Sequence, residues 1–304
     1  MITPFSALSR LTQSLALLFA AIAFAAPVGA QTLSAPNLES GGGPAAAGIR
    51  GELSRFASDL ATQGSYPFRL AWNQPGRAVV GVGVLAGLVA LDPAMHDATH
   101  ADPESPLASW GRTMSVYGNG LYVLPAVAGF GLIGALGSSR EADTAILLAE
   151  SSVSAGLWTL AVKELSGRER PRETHEGDGD WTGPRGVFAE DPTAGHSLAS
   201  FPSGHSSGAW AAATVLAHQY PYHHIVPLLA FGGAAAMSYA RMVVDAHWFS
   251  DVVVGGLIGV GCARQIIGSR ERSRSSLDSA SWVPMSLFFD MGPNGREIGL
   301  SCRF

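Results

Sequence analysis

Three short stretches concentrate residue types that handle phosphate. "KELSGRERP" carries Lys163 and Arg170, "FPSGHSSG" carries Ser203, Gly204 and His205, and "ARMVVDAHWFSD" carries Arg241, His247 and Asp251. In the second, Pro202 suits a first helical turn, because its missing N–H would be unpaired there anyway. Ser203, Gly204 and His205 would then turn free backbone N–H groups toward solvent at the positive end of the helix dipole, a natural anion site. Gly204 lets a ligand approach the backbone closely. Alone, this is also how an ordinary capped helix begins. In the first stretch, seven residues separate Lys163 from Arg170, nearly two helical turns. Gly167 and Pro171 predict that the helix ends between them; the plain alternative is a basic last turn offsetting the dipole. In the third, His247 and Asp251 stand at i,i+4, so the carboxylate reaches the imidazole if a helix begins near His247. An Asp on one ring nitrogen fixes the tautomer and leaves the other as nucleophile or base. Three cationic side chains, two histidines, one carboxylate and an anion-binding helix start make up the inventory of phosphoryl transfer.

The order and spacing of these residues resemble the type 2 phosphatidic acid phosphatase superfamily, which also holds bacterial class A acid phosphatases and vanadium haloperoxidases. K-x6-R-P stands at 163–171, P-S-G-H at 202–205 and R-x5-H-x3-D at 241–251, with Ala240 where the family often has Ser. The resemblance covers about 163–268 and implies a role for each matched position. His247 would attack phosphorus and form a phosphohistidine, oriented by Asp251. His205 would protonate the leaving alcohol and then activate water. Lys163, Arg170, Arg241, Ser203 and the Gly204 N–H would hold phosphate oxygens. It implies no metal and no cofactor, except vanadate if the chain is a haloperoxidase.

The chain that positions these groups has 304 residues, 47% hydrophobic and 14% charged, with a net charge of −5 and a mean hydropathy of +0.21. The charge gives no reason to expect nucleic acid as a partner. Residues 1–30 read as a secretory signal, with the apolar run "LALLFAAIAFAA" and small residues before a cut after Ala30. An uncleaved anchor is the alternative. A Gly/Pro-rich linker (34–48) and a short amphipathic helix (50–63) fill the segment 31–76. Six apolar stretches, near 77–91, 119–137, 143–163, 205–219, 224–242 and 249–268, are predicted as helices. Residues 269–281 read as a polar linker, and "MGPNG" as the turn of a C-terminal hairpin. The predicted fold is therefore all-α: a bundle of about six core helices over 77–268, with a small β-hairpin in 269–304.

Other residues are given plainer readings. His96 and His100 share an i,i+4 spacing that metal ligands use, but in "MHDATH" they read as a solvated connector. His175 and His196 lie in a long insertion, 172–201, read as a lid. His218, His223 and His224 read as surface, Trp158 and Trp210 as core, and Cys262 and Cys302 as unrelated thiols. The stretch 77–91 is short for a membrane span. If it does not cross, the remaining helices put the site on the periplasmic side, and the arginines after helix six obey the positive-inside rule. The reading is an exported, metal-independent phosphatase acting on phosphomonoesters or diphosphates, plausibly lipid-linked, membrane-associated or soluble in the periplasm. The alternatives are a vanadate-dependent haloperoxidase and a catalytically idle envelope scaffold.

Overall fold

The computed structural model describes residues 44–118, 123–174, 179–184, 198–281, 286–292 and 295–301. The expected signal segment, His175, His196 and Cys302 lie outside these. The chain divides into a unit ending at Ile266 and a C-terminal unit beginning at Ile267. The helices are α1 (Pro44–Asn73), α2 (Pro75–Ala90), α3 (Asp92–Thr99), α4 (Pro106–Tyr117), α5 (Val123–Ala135), α6 (Ser139–Ser166), α7 (Gly204–Gln219), α8 (Ile225–Val243) and α9 (Phe249–Ser281). Ser286–Gly292 and Gly295–Ser301 run antiparallel, with Phe289 opposite Ile298.

Each of the six apolar stretches falls on a helix, namely α2 and α5 to α9. Four elements differ from expectation. Helix α1 begins at Pro44, because a proline in the first position followed by three alanines is a good helix start. The "linker" 269–281 continues α9, since Arg, Glu and Leu favour helix and neither Gly nor Pro interrupts the segment. Helices α3 and α4 are additional, each opened by a proline in its first turn.

Helix α6 packs against α5 and α7, and α8 against α3, α4 and α7. The core is built from small and branched side chains, with Ala155, Val162, Ala211, Val215 and Ala263 almost wholly buried. Polar ties fix α1 to this core. Gln63 accepts from Ser154 Oγ at 2.6 Å and Trp158 Nε1 at 2.7 Å, and donates to Gln265 at 2.7 Å. Trp158 and Trp210 are half-buried, Cys262 is a buried free thiol, and His218, His223 and His224 are exposed.

Large apolar side chains also face outward: Val79, Val80, Leu132, Leu228 and Leu229 are each about two-thirds exposed. Helices Ser139–Ser166 and Ile225–Val243 and the stretch Phe249–Ser273 are long and apolar enough to cross a membrane. Helices α2 and α3, bent by 43°, would make a fourth span as a pair. That bend joins the short stretch 77–91 to the next helix.

Helix α9 approaches the start of α7 through glycines. A β-carbon on Gly255 would stand 2.4 Å from the Ser203 carbonyl oxygen, and one on Gly259 would stand 2.1 Å from that of Ser207. This is the small-xxx-small contact that lets helix backbones touch. Gly255→Ala is expected to push Ser203 out of place and destabilise the protein by about 1–3 kcal/mol. A thermal midpoint in detergent equal to wild type would contradict this packing account.

Candidate active site

The three motifs meet at the ends of α6, α7, α8 and α9. Helix α6 stops at Ser166 because Gly167 takes a left-handed conformation, φ 54°, and its N–H caps the Lys163 carbonyl. The predicted break between Lys163 and Arg170 is therefore present. The cationic tips are held by backbone carbonyls. Lys163 Nζ donates to Ala199 O at 2.5 Å and Ser200 O at 3.3 Å, and Arg170 donates to Ala246 O at 3.2 Å and Ala199 O at 3.5 Å.

Helix α7 starts at Gly204, two residues after the position that Pro202 was expected to open. Ser203 is its N-cap, accepting from Ser206 N at 3.4 Å, so Pro202 precedes the cap rather than filling the first turn. The Ser203 N–H is not free either; it donates to the Asp251 carbonyl at 2.9 Å. Gly204 and His205 are then the N–H groups at the positive end of the helix.

Helix α9 begins at Phe249, so His247 precedes it and Asp251 lies in its first turn. His247 Nδ1 nonetheless stands 3.5 Å from Asp251 Oδ2, which leaves Nε2 as the nitrogen turned away from the carboxylate. The chain between Arg241 and His247 folds back on itself, the Ala246 and His247 N–H groups both donating to the Arg241 carbonyl. Arg241 lines a cavity of about 340 Å³ with Arg112, Ser115, Arg172 and Asp245. Its Nε is buried without a hydrogen-bond partner among the described residues.

The two histidines share one electrostatic environment. Burial lowers His205 to about 4, and Arg241, Lys163 and Arg170 push the same way against a hydrogen bond to the Ser115 backbone. Burial also holds His247 well below the ordinary imidazole range, with Lys163 and Arg170 adding to it and Asp251 opposing. Lys163, Arg170, Arg241, His205, His247 and Asp251 thus form one cluster, tied to the α7 start by the Ser203 N–H on the Asp251 carbonyl.

Two residues that the sequence reading missed organise this cluster. Arg168 is wholly buried, with Nη1 donating to Asp251 Oδ1 at 2.9 Å and Nη2 to Asp92 Oδ2 at 2.7 Å. Asp92 also accepts from the Ser250 N–H at 2.7 Å and from the Ser250 hydroxyl at 2.6 Å. The Trp181 and Trp248 rings lie 4.7 and 5.0 Å from the guanidinium carbon, close enough for cation–π contact. Trp181 comes from the long insertion. Residues 179–184 turn back to pair with 166–169 through Glu169 N–Asp180 O, Thr182 N–Gly167 O and Gly183 N–Ser166 O. This part of the insertion is a wall over Arg168 rather than a lid. Asp251 Oδ2, the oxygen nearest His247, also takes the Ser200 hydroxyl at 2.5 Å and the Trp248 N–H at 2.9 Å.

Residues 144–274 match the family model described as PAP2 superfamily, and all three motifs fall inside that match. A solved structure described as the first transmembrane PAP2 type phosphatidylglycerolphosphate phosphatase from Bacillus subtilis is similar at 17% identity and a TM-score of 0.45, over 62% of this chain and 92% of that one. No curated protein matches the chain.

Arg168→Ala would leave two buried carboxylates without their cation, a loss of about 3–5 kcal/mol. Arg170→Ala removes bonds to the Ala246 and Ala199 carbonyls at a half-buried position and is expected to cost less. Chemical denaturation of both variants checks this, and equal losses would mean that Arg168 is not the central pair.

Proposed function

We propose that this chain, whose residues 144–274 belong to the PAP2 superfamily, is a metal-independent phosphatase of phosphomonoesters or diphosphates on lipids, working through a phosphohistidine on His247. The observation that carries this reading is the convergence of three cations on two histidines. Lys163 and Arg170 are placed there by bonds to backbone carbonyls. Arg241 keeps a buried Nε without a partner among the described residues, and both histidines are driven toward their neutral forms. An anion with several oxygens is the complement of such a site.

In the proposed reaction, His247 Nε2 attacks phosphorus while Asp251 holds Nδ1, so the N–P bond forms as the ester P–O bond breaks. His205 gives its proton to the leaving oxygen. It later takes one from the water that cleaves the phosphohistidine, releasing phosphate and restoring both histidines. His205 has to be protonated to begin. A bound phosphate dianion supplies the charge that offsets Lys163, Arg170 and Arg241, and so raises the His205 pKa when the proton is needed.

A lipid substrate fits the surface around the cage. Apolar side chains on α2, α5 and α8 face outward, and the candidate spans are present. In the cavity beside Arg241, Arg112 and Arg172 would take a second anionic group, such as the other phosphate of a diphosphate. Residues 1–30 would export the chain and leave the site on the periplasmic side.

His247→Ala is expected to lose phosphate release by several orders of magnitude, with an unchanged thermal midpoint to show that the fold survives. Asp251→Asn should be milder in turnover, because it disturbs orientation without removing the attacking atom. Wild-type turnover by a folded His247→Ala protein would reject the nucleophile.

Binding is also expected to draw in protons. Between about pH 4 and pH 6.5 free His205 is neutral, and an anion that raises its pKa makes it take up a proton from solvent. Calorimetry of orthovanadate binding in buffers of different ionisation enthalpy reads this number directly. His205→Gln should reduce the uptake, and uptake identical to wild type would remove His205 from the acid role.

A further inference from the structure

The described residues outside the phosphate cage contain one convergence of metal-ligating groups that the phosphatase reading does not use. His96 and His100 lie on one face of α3 and its C-terminal cap. Both rings turn to the same carboxylate, that of Asp245 in the connector after α8. His96 Nε2 is 3.0 Å from Oδ1 and His100 Nδ1 is 2.7 Å from Oδ2. One ligand atom from each residue lies within 4.8 Å of the other two. We propose that His96, His100 and Asp245 form a site for a divalent transition metal of the zinc type, which clamps α3 to the segment that carries His247.

The donor chemistry selects the ion. Two imidazole nitrogens and one carboxylate oxygen suit zinc and its neighbours, whereas magnesium and calcium call for oxygen-rich shells. At present the two imidazoles share protons with the carboxylate. An ion would replace those protons with lone pairs. Zinc bonds of about 2.0–2.1 Å in tetrahedral array place ligand atoms roughly 3.3 Å apart, against 3.0 and 2.7 Å for the two existing contacts and at most 4.8 Å across the set. Behind His96, its other nitrogen stands 4.0 Å from the exposed Asp97 Oδ1, beyond hydrogen-bond reach. The Trp248 ring, 5.6 Å from the His96 ring, covers the site on one side, while His100 is exposed and leaves a way in.

Asp245 is placed for this by an unusual backbone, φ 52°, a left-handed conformation that Asp tolerates better than most side chains. It stands two residues before His247 and on the cavity wall with Arg172 and Arg241. Those cations weaken the hold on a dication and favour an anionic oxygen or hydroxide in the fourth position. The ion is a clasp between elements, and the phosphoryl transfer described above does not pass through it. The inference therefore stands apart from the phosphatase reading.

The test uses the full chain, without an affinity tag that binds metal, purified in detergent and stripped with chelator. Zinc chloride is titrated in by calorimetry at pH 7.5 and pH 5.5, with thermal midpoints measured beside it. The expected result is one zinc per chain, a raised midpoint and clearly weaker binding at the lower pH, because metal binding releases protons from its ligands. His100→Ala removes an exposed ligand without threatening the core, and should weaken zinc binding by more than about tenfold. Asp245→Asn should do the same, and magnesium should not compete. Zinc binding that survives in folded His100→Ala, or that magnesium displaces equally well, would overturn the site. So would an absence of zinc binding by the wild-type chain, which would leave an ordinary ion-paired cluster.

Discussion

Arg168 puts a full positive charge where no water reaches it, and groups far apart in sequence supply its counter-charges. A buried guanidinium is tolerable only if its hydrogen bonds and its charge are met in place. Asp92 comes from the junction of α2 and α3, Asp251 and Ser250 from the start of α9, and the two tryptophans from the insertion and from the segment before α9. Three connections of the chain are fixed relative to one another by the need to pair one side chain. The Asp251 carboxylate is then held at both ends, one oxygen by Arg168 and the other by Ser200 and the Trp248 N–H, before it meets His247. The carboxylate that faces His247 is thus positioned by a charge pair on its far side.

The cations of the cage are treated in the opposite way. Lys163 and Arg170 point their tips at carbonyls of the chain just before α7 and just before His247. Dipoles fix where a charge sits. Arg168 is paired with two carboxylates, whereas Lys163 and Arg170 donate to carbonyls and Arg241 keeps a buried Nε without a hydrogen-bond partner among the described residues. Both kinds of arginine occur within three residues in "GRER", and the partner rather than the residue type separates them.

That distinction marks the limit of what could be read from the sequence. The cage residues were legible because motif spacing carries them: Lys163 and Arg170 flank a glycine stop, and His247 and Asp251 sit one turn apart. The long apolar stretches were legible because helix-forming runs of that length have few alternatives. Arg168 was not, since nothing in "KELSGRERP" separates one arginine from the next, and its partner Asp92 is 76 residues earlier. Asp245 was hidden for the same reason, lying 149 residues from His96 in a stretch whose chemistry appeared complete without it. The start of α7 moved because capping by Ser203 and its backbone tie to Asp251 decide it. These are tertiary contacts that local propensity does not contain.

The candidate spans deliver their polar residues with a consistent polarity. Lys163 lies in the last turn of α6 and Arg241 in that of α8, whereas Asp251 lies in the first turn of α9. In a bilayer, α6 and α8 would run one way and α9 the other, so all three groups would emerge at one surface. Asp92, at the bend between α2 and α3, joins them through Arg168. The outward apolar residues of α8, Leu228 and Leu229, sit near the opposite end of that helix from Arg241. A site assembled from helix ends at one interface, with apolar flanks running away from it, would stand at the depth of lipid headgroups. The same arrangement leaves the anchoring charge pair of Arg168 sheltered below the cage, where its desolvation is complete and its hold on Asp251 is least screened.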